Sequence, residues 1–310
     1  MSLSRARINM SHILVSGILQ RETIVKVRRL PIEYSALTND SDFIHMGFGG
    51  DSYNEAVALK ALGDRVDFFS MIGEADYASL INTPTKLFEI DTNYILPKLS
   101  ETPSAVIFYA PNKKQQIFED KKDVRDAQYN VNLFKGKLQT ADLLLSANAN
   151  FCRPLIAEAL SAGKKIAINI RNFDYATVKY NSYFLESADI MYLSDDNLDK
   201  DPYDFLKEVV EAYSPEVVIL GQGAEGLIIY SKNTETYVHY NSVKTSTVVN
   251  TVGAGNALFA SFLHYYLKTG DATLSIQNAL LFASYKIGFL GSSNGFLTEE
   301  EIEHWRSLIW

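Results

Sequence analysis

The sequence predicts an α/β fold in which a mostly parallel sheet lies between two layers of helices. Short apolar segments alternate with longer helical stretches through the second half of the chain, at residues 143–146, 166–170, 190–193 and 217–220. Strands that are apolar throughout are typical of parallel sheets covered on both faces. The chain has 310 residues, 47% of them hydrophobic, so it can bury such a core as one large domain.

The helix ends carry recognisable capping signals. Asp201 followed by Pro202 predicts a helix start, because aspartate caps the free N–H groups and proline suits the first turn. Thr298 with Glu301 predicts a capping box for a terminal helix. An apolar stretch over residues 273–290 predicts a further long helix before it.

The N-terminal third indicates strands rather than a helical bundle. Residues 13–17 read as a buried strand, 23–27 as an alternating one, and 66–73 as another, followed by a turn at 73–77. Two apolar segments between residues 105 and 118 flank a polar stretch at 111–114, which predicts a hairpin.

Composition narrows the classes of function. A formal net charge of −8 argues against a nucleic-acid footprint, and no basic cluster indicates a membrane surface. No segment approaches the roughly 18 apolar residues that a membrane span needs. Cys152 is the only cysteine, which excludes an intrachain disulfide and fits a reducing cytoplasm. We therefore expect a cytoplasmic protein that acts on small molecules.

A glycine-containing turn is the most informative segment. A β-branched run from Val248 leads through Gly253-Ala254-Gly255 into a helix-forming run. Small residues at a helix start let successive backbone N–H groups point at one anion, and the helix dipole favours negative charge there. The segment predicts an anion-binding turn.

This turn resembles the Asp-Thr-x-Gly-Ala-Gly-Asp motif of the ribokinase or PfkB family of sugar and nucleoside kinases. Thr251 and residues 253–255 match the motif, whereas Asn250 and Asn256 stand where the family has aspartate. The resemblance extends over the whole chain. It implies a three-layer α/β/α sandwich formed by a single domain, residues 1–310, with a small β lid drawn from about 18–46 and 104–120.

The same resemblance implies ATP-dependent phosphoryl transfer, with Mg²⁺, to a hydroxyl of a sugar or nucleoside. In the family the second aspartate takes the proton from that hydroxyl, and Asn256 stands in its place. A neutral amide can position a hydroxyl but cannot accept its proton near pH 7. Two interpretations follow: a sugar kinase with weak activity, or a pseudokinase that binds sugar, nucleotide or both without turnover.

The resemblance also implies a sugar site in the N-terminal third. Gln20 and Glu22 stand where the family has an Asn-x-Asp pair, although a solvated loop explains them equally well. The Gly-Gly-x-x-x-Asn signature is present, but a lysine of ribokinases proper is replaced by Asp51. The expected substrate-binding residues are Gln20, Glu22, Gly49, Gly50, Asn54 and Asn250. Edge strands of the lid invite pairing with a second copy, so a homodimer through the lid is expected.

The nucleotide side is implied in the same way by Asn169, Ser194, Gly223, Gly226 and Ser284. The family's Asn-x-x-Glu, which organises magnesium, is replaced by Ser194-Asp195-Asp196-Asn197. Asp195 or Asp196 could serve Mg²⁺ through water, since that ion needs only one or two carboxylates, but an acidic surface loop explains them as well. Tyr285 and Lys286 follow where the family keeps small residues, which predicts a narrower nucleotide pocket.

Overall fold

The computed structural model describes residues 10–81, 90–171, 173–196 and 198–309. Its strands are β1 (His12–Ser16), β2 (Gln20–Lys26), β3 (Ile44–Gly49), β4 (Arg65–Gly73), β5 (Ile95–Leu99), β6 (Ser104–Tyr109), β7 (Gln115–Asp120), β8 (Leu143–Ala147), β9 (Lys165–Ile170), β10 (Ile190–Ser194), β11 (Val217–Gly221), β12 (Leu227–Ser231) and β13 (Thr236–Tyr240).

The helices are α1 (Asp51–Ala61), α2 (Glu74–Ile81), α3 (Val131–Leu138), α4 (Arg153–Ser161), α5 (Val178–Glu186), α6 (Pro202–Tyr213), α7 (Ala254–Thr269), α8 (Ala272–Lys286) and α9 (Glu299–Ile309). Short 3₁₀ helices occur at Thr92–Tyr94, Lys122–Arg125, Asn150–Cys152, Tyr175–Thr177 and Gly223–Glu225. Within these described segments, no helix combines the length and apolar character needed to cross a membrane.

A nine-stranded sheet forms the centre of the fold, in the order β13-β12-β11-β10-β9-β8-β1-β4-β5. All neighbours from β11 to β5 pair in parallel, and β12 and β13 add antiparallel pairings at one edge. Successive residues of β1 face opposite sides: Ile13 and Val15 join the core under α1, α7 and α8, while Leu14 joins the core under α3 to α6. The predicted three-layer sandwich is therefore confirmed.

A second, four-stranded sheet lies over one end of the first, in the order β3-β2-β6-β7. Strand β2 pairs antiparallel with β3 and parallel with β6, and β6 pairs antiparallel with β7. Along β2, Gln20, Glu22 and Ile24 are buried while Arg21 is exposed, so the sheet has an inner and an outer face. We call this sheet the lid.

The predicted caps are present. The Asp201 carboxylate accepts hydrogen bonds from the N–H groups of Tyr203 and Asp204 at 2.9 and 3.1 Å, and α6 begins there. Thr298 N–H donates to the Glu301 carboxylate at 2.7 Å, and Glu301 N–H donates back to the Thr298 hydroxyl at 3.3 Å. The hairpin formed by β6 and β7 is also confirmed.

Two local predictions were wrong. The segment predicted as a turn at 73–77 contains the start of α2 at Glu74. The helix predicted to reach residue 290 ends at Lys286, because the next carbonyl, of Ile287, accepts the N–H groups of Val249 and Asn250 at 2.8 and 3.2 Å. This pairing ties the end of α8 to the segment that leads into the glycine turn.

Candidate active site

The chemistry-bearing residues meet at one edge of the central sheet. Parallel strands bring their carboxyl ends to the same edge, where ligands bind in such folds. Asn169 lies near the end of β9, Ser194 ends β10 and Gly221 ends β11. The starts of α1 and α7 reach this edge as well, since Asp51 and Asn256 are in hydrogen-bond contact there.

The glycine turn is built for close approach. Gly253 caps α7 with a φ of 78°, a conformation that side chains other than glycine's rarely adopt. A Cβ at Gly253 would lie 2.4 Å from the Ser292 carbonyl oxygen, and one at Gly255 would lie 2.5 Å from the Tyr192 hydroxyl. The Ala254 N–H donates to the Thr251 carbonyl oxygen at 3.1 Å. The first N–H groups of a helix have no intrahelical acceptor, so the N–H groups that follow it, at Gly255 and Asn256, are the ones that could bind an anion.

Lys286 holds this turn from behind. Its side chain is fully buried, and Nζ donates to the carbonyl oxygens of Val252 and Gly291, the latter at 2.7 Å. Burial lowers the pKa of Lys286 from 10.5 to about 7, against an opposing effect of the Glu22 charge. The sequence predicted that the bulk of Lys286 narrows the nucleotide pocket. In the structure this side chain lies against the backbone of the turn.

Asn250 reinforces the same turn. Its side-chain oxygen accepts the N–H of Val252 at 2.9 Å, and its amide nitrogen donates to the carbonyl oxygen of Phe289 at 3.2 Å. The side chain is completely buried. Both ends of the amide are thus used to fix the backbone ahead of Gly253.

Asn256 lies in a network of polar side chains. Its amide nitrogen donates to Asp51 Oδ1 at 3.0 Å, and its oxygen accepts from Asn169 Nδ2 at 3.1 Å. Asn169 Nδ2 also donates to Glu55 Oε1 at 2.6 Å. Asn169, which the resemblance placed on the nucleotide side, therefore directly contacts the residue at the expected base position.

Several buried oxygens of this network have no partner within the described part of the chain: Asn54 Oδ1, Glu55 Oε2 and Asn169 Oδ1. Burial raises the pKa of Glu55 well above its ordinary value, which favours the protonated form of this side chain. Buried polar atoms without protein partners commonly bind ligands or water. These three oxygens mark a place where a polar ligand would be bound.

The lid closes the other side of the site. Glu22 accepts the N–H of Gly50 at 2.9 Å, the Gln20 amide at 3.2 Å and the Ser292 hydroxyl. A Cβ at Gly49 would lie 2.0 Å from Glu22 Cδ, which explains the first glycine of the pair. The structure thus brings Gln20, Glu22, Gly49 and Gly50 together between the lid and α1.

Arg171 links the lid to the floor of the site, and sequence reasoning missed it. Its guanidinium contacts Asp51 of α1 at 3.4 Å and Glu119 of β7 at 3.0 Å. The Asp51 charge, followed by that of Glu119, raises the Arg171 pKa. Its position directly after β9, at the edge where ligands bind, was the signal that could have revealed it.

The residues predicted for the nucleotide side lie near the ends of β10 and β11. Ser194 Oγ donates to Asp196 at 3.0 Å, and Gln222 Nε2 donates to Asp195 at 3.3 Å. Burial, with a contribution from the Asp196 charge, raises the pKa of Asp195. Asn197 lies outside the described residues.

A second glycine-containing turn, at residues 223–226, follows β11 and is sterically constrained. Gly223 and Gly226 have φ values of 57° and 100° and enclose a short 3₁₀ helix. A Cβ at Gly226 would lie 2.0 Å from the Tyr240 carbonyl oxygen. Farther along the chain, Ser284 of α8 accepts the N–H of Thr245 at 3.0 Å. Among the residues described, no cluster of three or more His, Cys, Asp or Glu side chains could hold a metal ion.

Comparison with known proteins agrees with this architecture. Residues 10–299 match the model of the pfkB family carbohydrate kinases. The chain belongs to the pfkB family of carbohydrate kinases.

Individual pfkB relatives are distant in sequence but similar over their full length. A deoxyribokinase from Salmonella typhi is 23% identical, with 96% of this chain and 99% of the relative covered. A microbiome-derived acarbose kinase structure is 20% identical, with a TM-score of 0.82 and coverage of 96% and 99%. Arabidopsis thaliana ribokinase complexed with ribose and ATP is 15% identical, with a TM-score of 0.76 and coverage of 95% and 98%.

Replacing Lys286 by Met tests whether burial lowers the pKa of this side chain. The folded protein releases the Lys286 proton near pH 7, whereas the ordinary value in an unfolded chain is 10.5. Between these values the unfolded chain binds more protons, so the stability contributed at this position rises with pH and is smallest below pH 7. We expect the free energy of unfolding, native minus Lys286→Met, to increase from pH 7 to 10 by at most about 1 kcal/mol per pH unit.

Denaturant titrations at several pH values measure this difference. Lys179, exposed on α5, provides the matched control, and its Met variant should differ from the native protein by an amount that stays constant with pH. If the difference in free energy of unfolding between the native protein and Lys286→Met stays constant with pH, the lowered pKa of Lys286 is contradicted.

Proposed function

We propose that this pfkB-family chain transfers the γ-phosphoryl group of ATP to a hydroxyl of a sugar or nucleoside. The observation that carries the proposal is the turn at residues 253–255, where Gly253 starts α7 with a φ of 78° and where Lys286 and Asn250 hold the backbone at Val252. Phosphoryl transfer depends mainly on positioning and on electrostatic stabilisation of the transferring group. A rigid set of N–H donors can supply both.

The proposed sugar site lies between the lid and α1. Gln20, Glu22, Gly49 and Gly50 already meet there, and Asn54 on α1 has a buried side-chain oxygen without a partner among the described residues. Hydroxyl groups, which donate and accept, suit such carboxylate and amide oxygens. Asn250 contributes by shaping the turn, since its amide oxygen and nitrogen are both hydrogen-bonded to backbone groups.

The proposed ATP site uses the other half of the edge: Asn169, Ser194, Gly223, Gly226 and Ser284. The glycine geometry supports close backbone approach to a nucleotide. Asp195 and Asp196 fit Mg²⁺ held through water, because their carboxylates lie beside the end of β10 and the ion prefers oxygen ligands. When bound, Mg²⁺ would neutralise phosphate charge.

We propose that turnover is slow, because Asn256 occupies the base position and an amide accepts no proton. Loss of a general base costs about 10²- to 10⁴-fold in rate. The alternative is a pseudokinase that binds sugar or nucleotide without turnover. The network that engages both ends of the Asn256 amide favours it, because these contacts already satisfy the side chain in the absence of substrate.

Magnesium-dependent ADP formation over a panel of hexoses, pentoses and nucleosides tests the proposal. We expect one sugar or nucleoside to raise ADP release clearly above the background. Gly255→Ala should then lower kcat by about 10- to 100-fold, because its methyl group would collide with the buried Tyr192 hydroxyl and displace the turn.

Gly136→Ala is the matched control, since a Cβ at this helical glycine meets nothing within 4 Å. Its kcat should equal that of the native protein. Absence of ADP over the whole panel, with sugar or nucleotide binding retained in calorimetry, would replace the kinase proposal by the pseudokinase one.

We also propose a homodimer formed through the outer face of the lid. Met46, Val106 and Phe118 lie in one row across β3, β6 and β7, and are 72%, 37% and 55% exposed. Contiguous exposed apolar groups of this kind mark interaction surfaces. Pairing of two lids would remove these side chains from water.

Phe118→Lys should convert the dimer to a monomer, because it replaces an exposed apolar side chain of the proposed contact by a charge that would be buried there. Sedimentation equilibrium measures the change in mass. Leu160→Lys on α4, at a residue that is 48% exposed and outside the lid, should leave the mass unchanged. A native protein of single-chain mass at micromolar concentration would contradict the proposal.

A further inference from the structure

Asp51 brings a carboxylate to the position at which a base is expected. It is the first residue of α1, and its Oδ1 accepts from Asn256 Nδ2 at 3.0 Å and from Arg171 Nη1 at 3.4 Å. The carboxylate is therefore one hydrogen bond away from residue 256. Its side chain is 31% exposed, so solvent or a substrate can reach the carboxylate.

The other carboxylates around the site are buried, already hold hydrogen-bond or ion-pair partners, or lie on the proposed nucleotide side. Glu55 is fully buried and accepts a hydrogen bond from Asn169. Glu22 already accepts from Gly50, Gln20 and Ser292. Glu119 lies on β7 of the lid and, like Asp51, pairs with Arg171, but it is Asp51 that accepts from Asn256.

Asp195 and Asp196 follow β10 and bond with Gln222 and Ser194, on the proposed nucleotide side. Asp51 is thus the carboxylate that is close to Asn256 and also open to a substrate.

We propose that Asp51 is the catalytic base of this chain, in place of a carboxylate at residue 256. The inference rests on the proposed phosphoryl transfer, and it means that the base is displaced to Asp51 rather than lost, so the rate loss expected for a chain without a base no longer applies. In the reaction, the substrate hydroxyl oxygen forms a bond to the γ-phosphorus while its proton passes to the Asp51 carboxylate. The bond from the γ-phosphorus to the bridging oxygen breaks, and its electron pair leaves with ADP. Release of the proton to water restores Asp51.

The surroundings of Asp51 suit this role. Asn54, on the same helix, and Asn169 each offer a buried oxygen without a partner in the described structure, and can orient a hydroxyl beside the carboxylate. The start of α1 stabilises a negative charge at its first residue. The Asn256 amide, which cannot accept a proton, donates a hydrogen bond to Asp51. It thereby holds in place the carboxylate that can accept one.

A charge exchange between the two positions tests the proposal. The variants are Asp51→Asn, Asn256→Asp and the double variant, all nearly isosteric with the native chain. With the sugar and ATP identified in the ADP assay, Asp51→Asn should lower kcat by about 10²- to 10⁴-fold with little change in sugar KM. The double variant, which moves the carboxylate to residue 256, should recover kcat to within about 10-fold of the native value.

Glu303→Gln, on the exposed side of α9, controls for loss of a carboxylate and should keep the native kcat. Calorimetric sugar binding and thermal melting report whether each variant is folded and loaded. A merely structural Asp51 would lower stability or sugar affinity in Asp51→Asn, and the double variant would not recover kcat.

Three results would overturn the proposal. The first is a native kcat in Asp51→Asn, which leaves the kinase function intact but removes Asp51 as base. The second is a folded, sugar-binding double variant that is as slow as Asp51→Asn. The third is a native chain that forms no ADP with any sugar or nucleoside, which overturns the kinase function together with this inference.

Discussion

The contact between Lys286 and the glycine turn is the constraint on which the rest of the site depends. The buried side-chain nitrogen of Lys286 joins the carbonyl oxygen of Val252, just before Gly253, to that of Gly291, which follows α8. Because Val252 O is bound from behind, the backbone at Gly253 can take the left-handed conformation that starts α7. Burial of an amine is costly, which is why its pKa falls. The cost of burying the amine is offset by its hydrogen bonds to the backbone, which fix the turn. Stabilising a transferring phosphoryl group requires N–H donors that are fixed in position.

Charge around the turn is arranged differently from the pattern that the resemblance implies. Asn250 and Asn256 remove two negative charges near the turn, while Asp51 introduces one where ribokinases proper carry lysine. Arg171 contacts Asp51 and Glu119, so a positive charge stays close to the carboxylate on α1. A carboxylate is thus present on α1 rather than at residue 256 of α7, and the Asn256 amide donates a hydrogen bond directly to it.

The order of strands and helices was predictable because each element carries its own local signal. The apolar runs of β8 to β11 and the Asp201 cap of α6 are read from a few neighbouring residues. The site was predictable only as separate motifs. Asp51 and Asn256 are 205 positions apart, and no local pattern reports that their side chains touch. In the sequence, Lys286 could be recognised only as a bulky residue. Its hydrogen bonds to the carbonyl oxygens of Val252 and Gly291 depend on where α8 ends, which the sequence did not show.

The lid is part of the same electrostatic arrangement. Its β2 supplies Glu22, which accepts from Gly50 at the start of α1, and its β7 supplies Glu119, which holds Arg171. Arg171 bridges this strand to α1, because the same guanidinium also contacts Asp51. The lid is therefore joined to the start of α1 by a backbone hydrogen bond at Gly50 and by an ion-pair bridge through Arg171. Both links place charged side chains around the residue next to Asn256, so the sequence changes at positions 51 and 256 belong to one connected polar network.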